Sequence, residues 1–313
     1  MLTCYNIENN RIVECAKEDA ILSFYAEPNA EEINELVSTH HLHEYDVHSS
    51  LDLNELSRLD FDDDYTLVII KNPRNYSAPV NLLFEVNSIG IFLFKEKMIV
   101  VTDENLQLFE KKQTLKIKTL NDILIKILYT TIMHFVEHLK VMDMIAEELE
   151  QKINQSMGNK YLLMMFKLEK SLVYYLDGVN SNTKMIDKIK TTAVKLGFTE
   201  DNIELIEDIQ IENQQCQKQT EIYLSILTGL MDARGSIVGN NLSVLIKRLT
   251  IVSIVFMPLN LLAGIGGMSE FSMMTQAIGW KVAYPLFLLG LATIGTATYF
   301  LVNFMIKRFG TEE

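Results

Sequence analysis

The sequence predicts an α+β domain at the N-terminus, a long helical stalk after it and two membrane-spanning helices at the C-terminus. Three observations carry this. Short β-type runs alternate with turn residues over residues 1–115. From residue 120 the pattern turns helical, and no proline interrupts the chain between Pro79 and Pro258. Two apolar stretches, 250–270 and 282–304, close the chain, each long enough to cross the hydrocarbon core of a bilayer as a helix. The expected layout is an α/β domain at 1–118, a helical bundle and stalk at 119–243, a first span at 244–268, an outer loop at 269–281, a second span at 282–305 and a tail at 306–313.

In chain order, Cys4-Tyr5-Asn6-Ile7 and Arg11-Ile12-Val13 flank Asn9-Asn10, a hairpin pattern. Ile21 to Tyr25 reads as a short strand. Ala30 to Ser38 reads as a helix with Ile33, Leu36 and Val37 on one face. Tyr65 to Ile70 reads as a buried strand, and Ile89 to Phe94 with Met98 to Thr102 as a hairpin turned at Lys95-Glu96-Lys97. Leu124, Ile127, Leu128, Thr131 and Phe135 keep helical spacing, as do Leu162, Met165, Phe166, Glu169, Leu172 and Val173. Gly197 breaks that run. Thr199 then reads as an N-cap, with Glu200 and Asp201 in the first turn, where the helix dipole favours acids. A helix from Thr199 to Gly264 would be roughly 100 Å long at 1.5 Å per residue. It needs bundle partners, and the two preceding helical stretches and further copies of itself are the available ones.

The first span carries a stripe. Asp232, Gly239, Ser243, Ile246, Thr250, Ser253, Met257, Asn260 and Gly264 follow one helical face, and their neighbours off the stripe are largely apolar. A small, polar stripe on a spanning helix faces something other than lipid. Two readings stand. In one, Thr250 and Ser253 bond back to their own helix and the small residues pack on a partner helix. In the other, several copies meet around an axis and the stripe lines a wet pore. Asn260 favours the second, because a carboxamide deep in the span costs free energy unless water or a partner meets it. Ile246, Leu249 and Met257 are candidate constrictions that gate by dewetting, with Thr250 and Ser253 between them.

Phe256-Met257-Pro258-Leu259, followed by Ala263-Gly264-Ile265-Gly266-Gly267-Met268-Ser269, resembles the CorA family of divalent-cation channels, whose first span ends in Gly-Met-Asn at the outer mouth. This chain has Gly267-Met268-Ser269 there. The close resemblance covers roughly residues 239–285; elsewhere it lies in layout. It implies a funnel-shaped homopentamer carrying Mg²⁺, with Co²⁺ and Ni²⁺ as further divalent passengers. Asn260, Gly264, Gly267, Met268, Ser269 and Glu270 would then form the outer pore. Mg²⁺ gives up its waters reluctantly, so Asn260, the carbonyls near Gly264 and the Ser269 hydroxyl would meet its hydration shell. Five copies of Glu270 would ring the mouth with negative charge. Counting back along the helix, the resemblance sets Asp232 in an acidic ring at the inner end of the pore. It sets Asp208 in one half of a regulatory divalent-ion site between subunits. The other half aligns near Ser49-Ser50, flanked by Asp46 and Asp52.

Charge and composition narrow the class. A net charge of −13, with nearly all acids before residue 240, excludes a nucleic-acid binder, which needs a basic surface. The sequence contains no nucleophile elbow, phosphate-binding glycine loop, dinucleotide fingerprint or His-Glu-x-x-His, so neither an enzyme nor an organic cofactor is expected. Cys4, Cys15 and Cys216 form no Cys-x-x-Cys and point to free thiols in a reducing compartment. No signal peptide is expected from MLTCYNIENNRI. Lys247-Arg248 before the first span and Lys307-Arg308 after the second place both termini in the cytoplasm and the protein in the inner or plasma membrane. His40, His41, His43 and His48 lie beside Asp46, and His134 and His138 stand at i and i+4. Each group reads either as ligands for a soft divalent ion or as ordinary structure, the first as a solvated loop before a helix. Asp62-Asp63-Asp64 reads as a solvated turn. Two alternatives to a Mg²⁺ channel remain: a zinc-carrying relative, and a membrane-anchored sensor or scaffold that conducts nothing.

Overall fold

The computed structural model describes residues 1–74, 83–106, 116–155 and 159–309, and the chain divides into two compact units, Met1–Met231 and Asp232–Glu313. Residues 310–313 of the expected tail lie outside the described residues. In the first unit, β1 (Leu2–Glu8) and β2 (Arg11–Glu14) form the expected hairpin. Asn9 and Asn10 both take positive φ, 51° and 61°, as a two-residue turn of the I′ type requires. With β3 (Leu22–Ala26), β4 (Arg58–Phe61), β5 (Thr66–Pro73), β6 (Val86–Leu93) and β7 (Met98–Thr102), the described residues make a seven-stranded sheet in the order β2-β1-β3-β7-β6-β5-β4. β3 and β7 run parallel and the other described pairs antiparallel.

Helices cover both faces of this sheet. On one, α1 (Ala30–Ser38) and α2 (Glu44–Leu51) bury Leu36 and Val47 against Leu67, Ile69, Phe92 and Val101. On the other, Val68, Ile70, Ile91 and Val100 pack with helices α3 (Leu120–Gln155), α4 (Asn159–Thr191) and α5 (Glu200–Gly266), through Ile127, Ile186 and Ile206 among others. Successive residues of β5 therefore go to opposite sides and are buried on each, so the strand reads as an unbroken apolar run rather than an alternation. Farther along the helices, Phe135, Leu139, Leu172, Tyr175, Cys216 and Leu227 form a second core. These are the bundle partners that the long helix needs.

The helix ends follow the expected chemistry. α1 opens with a capping box between Asn29 and Glu32. Gly197, at φ +70°, ends the turn after α4, and the Thr199 hydroxyl accepts the Asn202 N–H at 3.3 Å as α5 begins. Asp122 ties two helix starts together. Its carboxylate accepts the N–H groups of Lys118 and Thr119 and the amide of Asn202, each at 2.9 Å.

Two elements differ from the expectation. His43 and His48, read either as soft-ion ligands or as part of a solvated loop before a helix, stand respectively at the N-cap and within helix α2. The helix buries Val47, Ser49 and Ser50, and Ser50 meets Gly90 of β6 so closely that a Cβ on Gly90 would lie 1.9 Å from Ser50 Oγ. Small polar residues at a tight helix–strand contact give no apolar periodicity to read. β4 was not expected at all. It is four residues long and pairs antiparallel with β5, too short a run for its alternation to stand out. Asp62-Asp63-Asp64 is the expected turn between β4 and β5, closed by Asp62 N–H on the Tyr65 carbonyl at 2.9 Å.

β4 begins only at Arg58, opposite Ile69, which leaves Lys71 without a strand on that side. The buried Asn182 of α4 takes the place of that strand. Its Oδ1 accepts the Lys71 N–H at 2.9 Å, its Nδ2 donates to the Lys71 carbonyl at 2.9 Å, and Ser57 Oγ donates to the same Oδ1 at 2.7 Å.

Two outcomes are expected. Asn182→Leu leaves the Lys71 N–H and carbonyl buried without this partner, at about 1–3 kcal/mol each, so denaturant unfolding should show a loss of about 3 kcal/mol. The Asp122 carboxyl is held below its ordinary pKa. Burial opposes this, and the hydrogen bonds from Lys118, Asn202 and Thr119 outweigh it. A folded pKa below the unfolded one stabilises the protein above the ordinary carboxyl range and ceases to do so as pH falls through the folded value. The melting-temperature gap between wild type and Asp122→Asn should therefore be full at pH 7 and shrink below about pH 4.

Candidate functional site

The second unit is built on the C-terminal part of α5 and on α7 (Trp280–Phe309), joined by a loop that holds the short helix α6 (Ser269–Met274). Both long helices are long and apolar enough to cross a membrane. Along α5, Ile251, Val255, Pro258, Leu259, Leu262 and Gly266 are half-buried. α7 lies on this face. A Cβ on Gly295 would stand 3.2 Å from Leu259 Cδ1, and a Cβ on Gly266 would stand 2.5 Å from Phe287 Cζ. The two glycines let the helices approach where Leu259 and Phe287 project, as small residues do between packed membrane helices.

The stripe lies on the other side. Asp232, Gly239, Ser243, Ile246, Thr250, Ser253, Met257, Asn260 and Gly264 are all exposed. At 100° per residue, its members from Thr250 to Gly264 are centred about 170° from the residues that α7 covers. The Thr250 hydroxyl donates to the Ile246 carbonyl at 2.9 Å, and that of Ser253 to Leu249 at 3.0 Å. Their protons are spent inside the helix, and their oxygen lone pairs face outward. The Asn260 carboxamide has no hydrogen-bond partner among the described residues and offers both donors and an acceptor. Leu249 and Met257, 68% and 73% exposed, are apolar steps on or beside the same face.

α5 ends where the resemblance sets the outer mouth. Gly267 N–H closes on the carbonyls of Ala263 and Gly264, and Met268 N–H on Ile265. Met268 turns extended, and Ser269 begins α6 with its hydroxyl donating to Glu270 at 3.2 Å. Helix α6 stands where a plain loop was expected. Phe271 of α6 sits 5.1 Å from Phe287 of α7, centroid to centroid. Nothing in the local pattern 269–274 announces that anchor.

In the first unit the candidate acids differ from one another. Asp46 is half-buried: it accepts the Tyr65 hydroxyl at 2.7 Å and lies 3.4 Å from Arg58. Arg58 also pairs with Glu55, and with Asp60 at 2.7 Å. Burial pushes the Tyr65 hydroxyl up, and its bond to Asp46 adds to that. Asp52 and Asp208 are exposed; Asp52 follows α2 and accepts the Asn54 N–H at 2.9 Å. Among the described residues, no three His, Cys, Asp or Glu side chains gather as a metal-ligating group. His43 pairs with Asp62 at 3.0 Å, His40 with Lys97 at 3.0 Å, and His138 with the Tyr175 hydroxyl at 2.6 Å. The His134 and His138 rings stand 4.3 Å apart beside Phe84 and Tyr175, so this pair is part of an aromatic cluster.

Comparison with known proteins places these features in a wider set. A family model described as CorA-like Mg²⁺ transporter protein matches residues 21–308. The cobalt/magnesium transport protein CorA of Methanocaldococcus jannaschii is 23% identical over 256 residues, covering 78% of each chain. The protein of the same name from Thermotoga maritima is 24% identical over 276 residues, covering 85% of this chain and 76% of its own. The complete structure of the CorA magnesium transporter from M. jannaschii superposes with a TM-score of 0.80 at 19% identity and covers 96% of both chains. That likeness establishes the fold: a soluble α/β part, a long helix and two apolar C-terminal helices.

The α5–α7 contact predicts one mutational effect. Gly295→Leu puts a side chain where Leu259 already lies, and overpacking of this kind costs about 1–3 kcal/mol. Thermal stability of the detergent-solubilised protein should fall, and Leu259→Ala in the same chain should recover most of the loss.

Proposed function

This chain belongs to the family of CorA-like Mg²⁺ transporter proteins, and from that premise we propose that copies of it assemble as a homopentamer around the α5 stripes and conduct hydrated divalent cations, Mg²⁺ foremost. The observation that supports this reading is the division of α5 into two opposite faces. α7 takes the apolar one, and Thr250, Ser253, Met257, Asn260 and Gly264 are left uncovered on the other. In a membrane those polar groups need water or one another. Closing several copies around an axis supplies both.

In this reading the hydrated ion enters past Glu270 and Ser269, whose carboxylate and hydroxyl lie at the mouth with Gly267 and Met268. It then meets the Asn260 carboxamides and the carbonyls near Gly264. The polar groups on the path offer oxygen or amide nitrogen, and neither histidine nor cysteine, a set suited to hard ions such as Mg²⁺ and, with less preference, Co²⁺ and Ni²⁺. Met257, Leu249 and Ile246 form the dry constrictions, and Asp232 concentrates cations below them. In this reading the two spans lie in the inner or plasma membrane with both termini in the cytoplasm, a reading supported by the Lys and Arg residues that flank them.

Cytoplasmic control rests on Asp208 and Asp52, whose carboxylates are exposed. Asp46, the third candidate acid, is already engaged by Arg58 and Tyr65. A divalent ion held between subunits at such acids favours the closed ring, and its loss lets like charges separate.

The test is ion flux into proteoliposomes of the full-length protein, with Mg²⁺ and Zn²⁺ offered separately. Mg²⁺ uptake is expected, and Asn260→Leu should bring it down to the rate of protein-free vesicles. Zn²⁺ uptake alone would move the protein to a zinc-carrying role. Silence toward both ions, in an assembled oligomer stripped of Mg²⁺ on its cytoplasmic face, would overturn the channel and leave a non-conducting sensor or scaffold.

A further inference from the structure

We infer that Cys4 and Cys15 form a dithiol pair that oxidises to an intramolecular disulfide across the N-terminal hairpin. The register of β1 on β2 sets Tyr5 opposite Glu14, Asn6 opposite Val13, Ile7 opposite Ile12 and Glu8 opposite Arg11. One step farther from the turn it sets Cys4 opposite Cys15, and the Cys15 N–H donates to the Cys4 carbonyl at 2.9 Å. Directly opposed residues of an antiparallel pair send their side chains to the same face. In a hydrogen-bonded pair the Cα atoms stand about 5.5 Å apart, inside the roughly 4.4–6.8 Å over which a disulfide closes. Both residues are free thiols. They lie on the face opposite that of Tyr5, Ile7 and Ile12, which pack toward the core shared with α3 and α4.

The two thiols differ in access. Cys4 is 7% exposed and held on both sides, by β2 and by Ser23 of β3. Cys15 is half-buried and stands one residue past the end of β2, so it both meets the reagent and moves to close the bond. Burial first, and then Cys4, Asp19, Glu8 and Glu14, hold the Cys15 thiol above its ordinary pKa. The remaining cysteine, Cys216, is 1% exposed inside the helical core, where burial pushes its pKa to about 12. It takes no part.

A low-molecular-weight disulfide such as oxidised glutathione supplies the oxidising equivalents. The Cys15 thiolate attacks one glutathione sulfur, forming a mixed disulfide and releasing the first glutathione thiolate. The Cys4 thiolate then attacks the Cys15 sulfur, forming the Cys4–Cys15 bond and releasing the second. The two protons lost by the protein thiols end on the two reduced glutathiones, so two thiols and one disulfide become one disulfide and two thiols. The product fastens the edge strand β2 to β1, and an excess of thiol reverses it.

The test uses full-length protein in detergent, incubated with excess oxidised glutathione, then unfolded in denaturant and trapped with N-ethylmaleimide, digested and analysed by mass spectrometry. The expected product is a single intramolecular link between the peptides holding Cys4 and Cys15, two hydrogens lighter than the reduced pair, with Cys216 alkylated. Cys4→Ser should stop the reaction at glutathione on Cys15, and Cys15→Ser should leave Cys4 alkylated. The second variant keeps the test open should the first fail to fold. Wild-type protein with stable glutathione on Cys15, with links between chains, or with both cysteines still alkylated would overturn the inference.

Discussion

Hydrocarbon offers a carboxamide no hydrogen bond, and Asn260 stands within the apolar C-terminal stretch of α5. Leaving such a group unmet in an apolar medium costs several kcal/mol, a large fraction of what holds a whole domain folded. The remainder of α5 is arranged around that cost. Its apolar side is occupied by α7, with Gly266 and Gly295 cut away to admit Phe287 and Leu259. Its polar side turns the hydroxyls of Thr250 and Ser253 back on the helix. Among the described polar groups of the stripe from Thr250 to Gly264, the Asn260 carboxamide is the side chain that keeps all its hydrogen-bonding capacity for something beyond the chain. A second helix of the same chain is already spent on the opposite face, so symmetry-related copies are the natural source of what remains.

The acidic N-terminal unit deals with its charge differently. Many of its carboxylates are answered by cations of the same chain. Arg58 meets Asp46, Glu55 and Asp60, Arg74 meets Glu85 and Asp103, and Lys188 reaches Asp60 at 3.6 Å. Lys71 is buried outright. Its ammonium donates to the Leu53 carbonyl at 2.6 Å and the Ser88 hydroxyl at 3.0 Å, and burial pulls its pKa down. The acids that stay exposed, Asp52 and Asp208 among them, are those that surrounding cations can address. Formal net charge overstates how much of the surface is available to an ion, because internal pairs take part of it.

How much of this could be read in advance depended on whether the signal was local. The Asn9-Asn10 turn, the capped helix at Ala30–Ser38, the stop at Gly197 and the long helix from Thr199 were legible, because each is set by residues within a few positions. The polar stripe was legible for the same reason: helical spacing alone defines it. What α7 covers was not, since Val255 and Leu259 resemble Val252 and Leu261 in sequence and differ only in what touches them. Helix α2 was hidden because its buried residues include Ser49 and Ser50, polar by type and inward only because Gly90 leaves room. The Asn182 clamp depends on partners more than a hundred residues away, and β4, four residues long, is too short to show a period. The commitment of Asp46 to Tyr65 and Arg58 was equally out of reach, as no short-range pattern joins α2, β4 and β5.

The single parallel pairing in the sheet bears on how the protein is made. β3 joins β7 with Leu22 opposite Met98, so the middle of the sheet cannot close until a stretch 76 residues farther along has left the ribosome. At about 5–20 residues per second, that wait lasts about 4–15 s. During it, the hairpin and β3 present an open edge to whatever else is nascent nearby. The strands that could shield them, β4 to β6, come off the ribosome earlier but join the sheet from the far side of β7. A newly made chain therefore carries an unpaired strand edge through its first hundred residues, well before its apolar C-terminal helices are made.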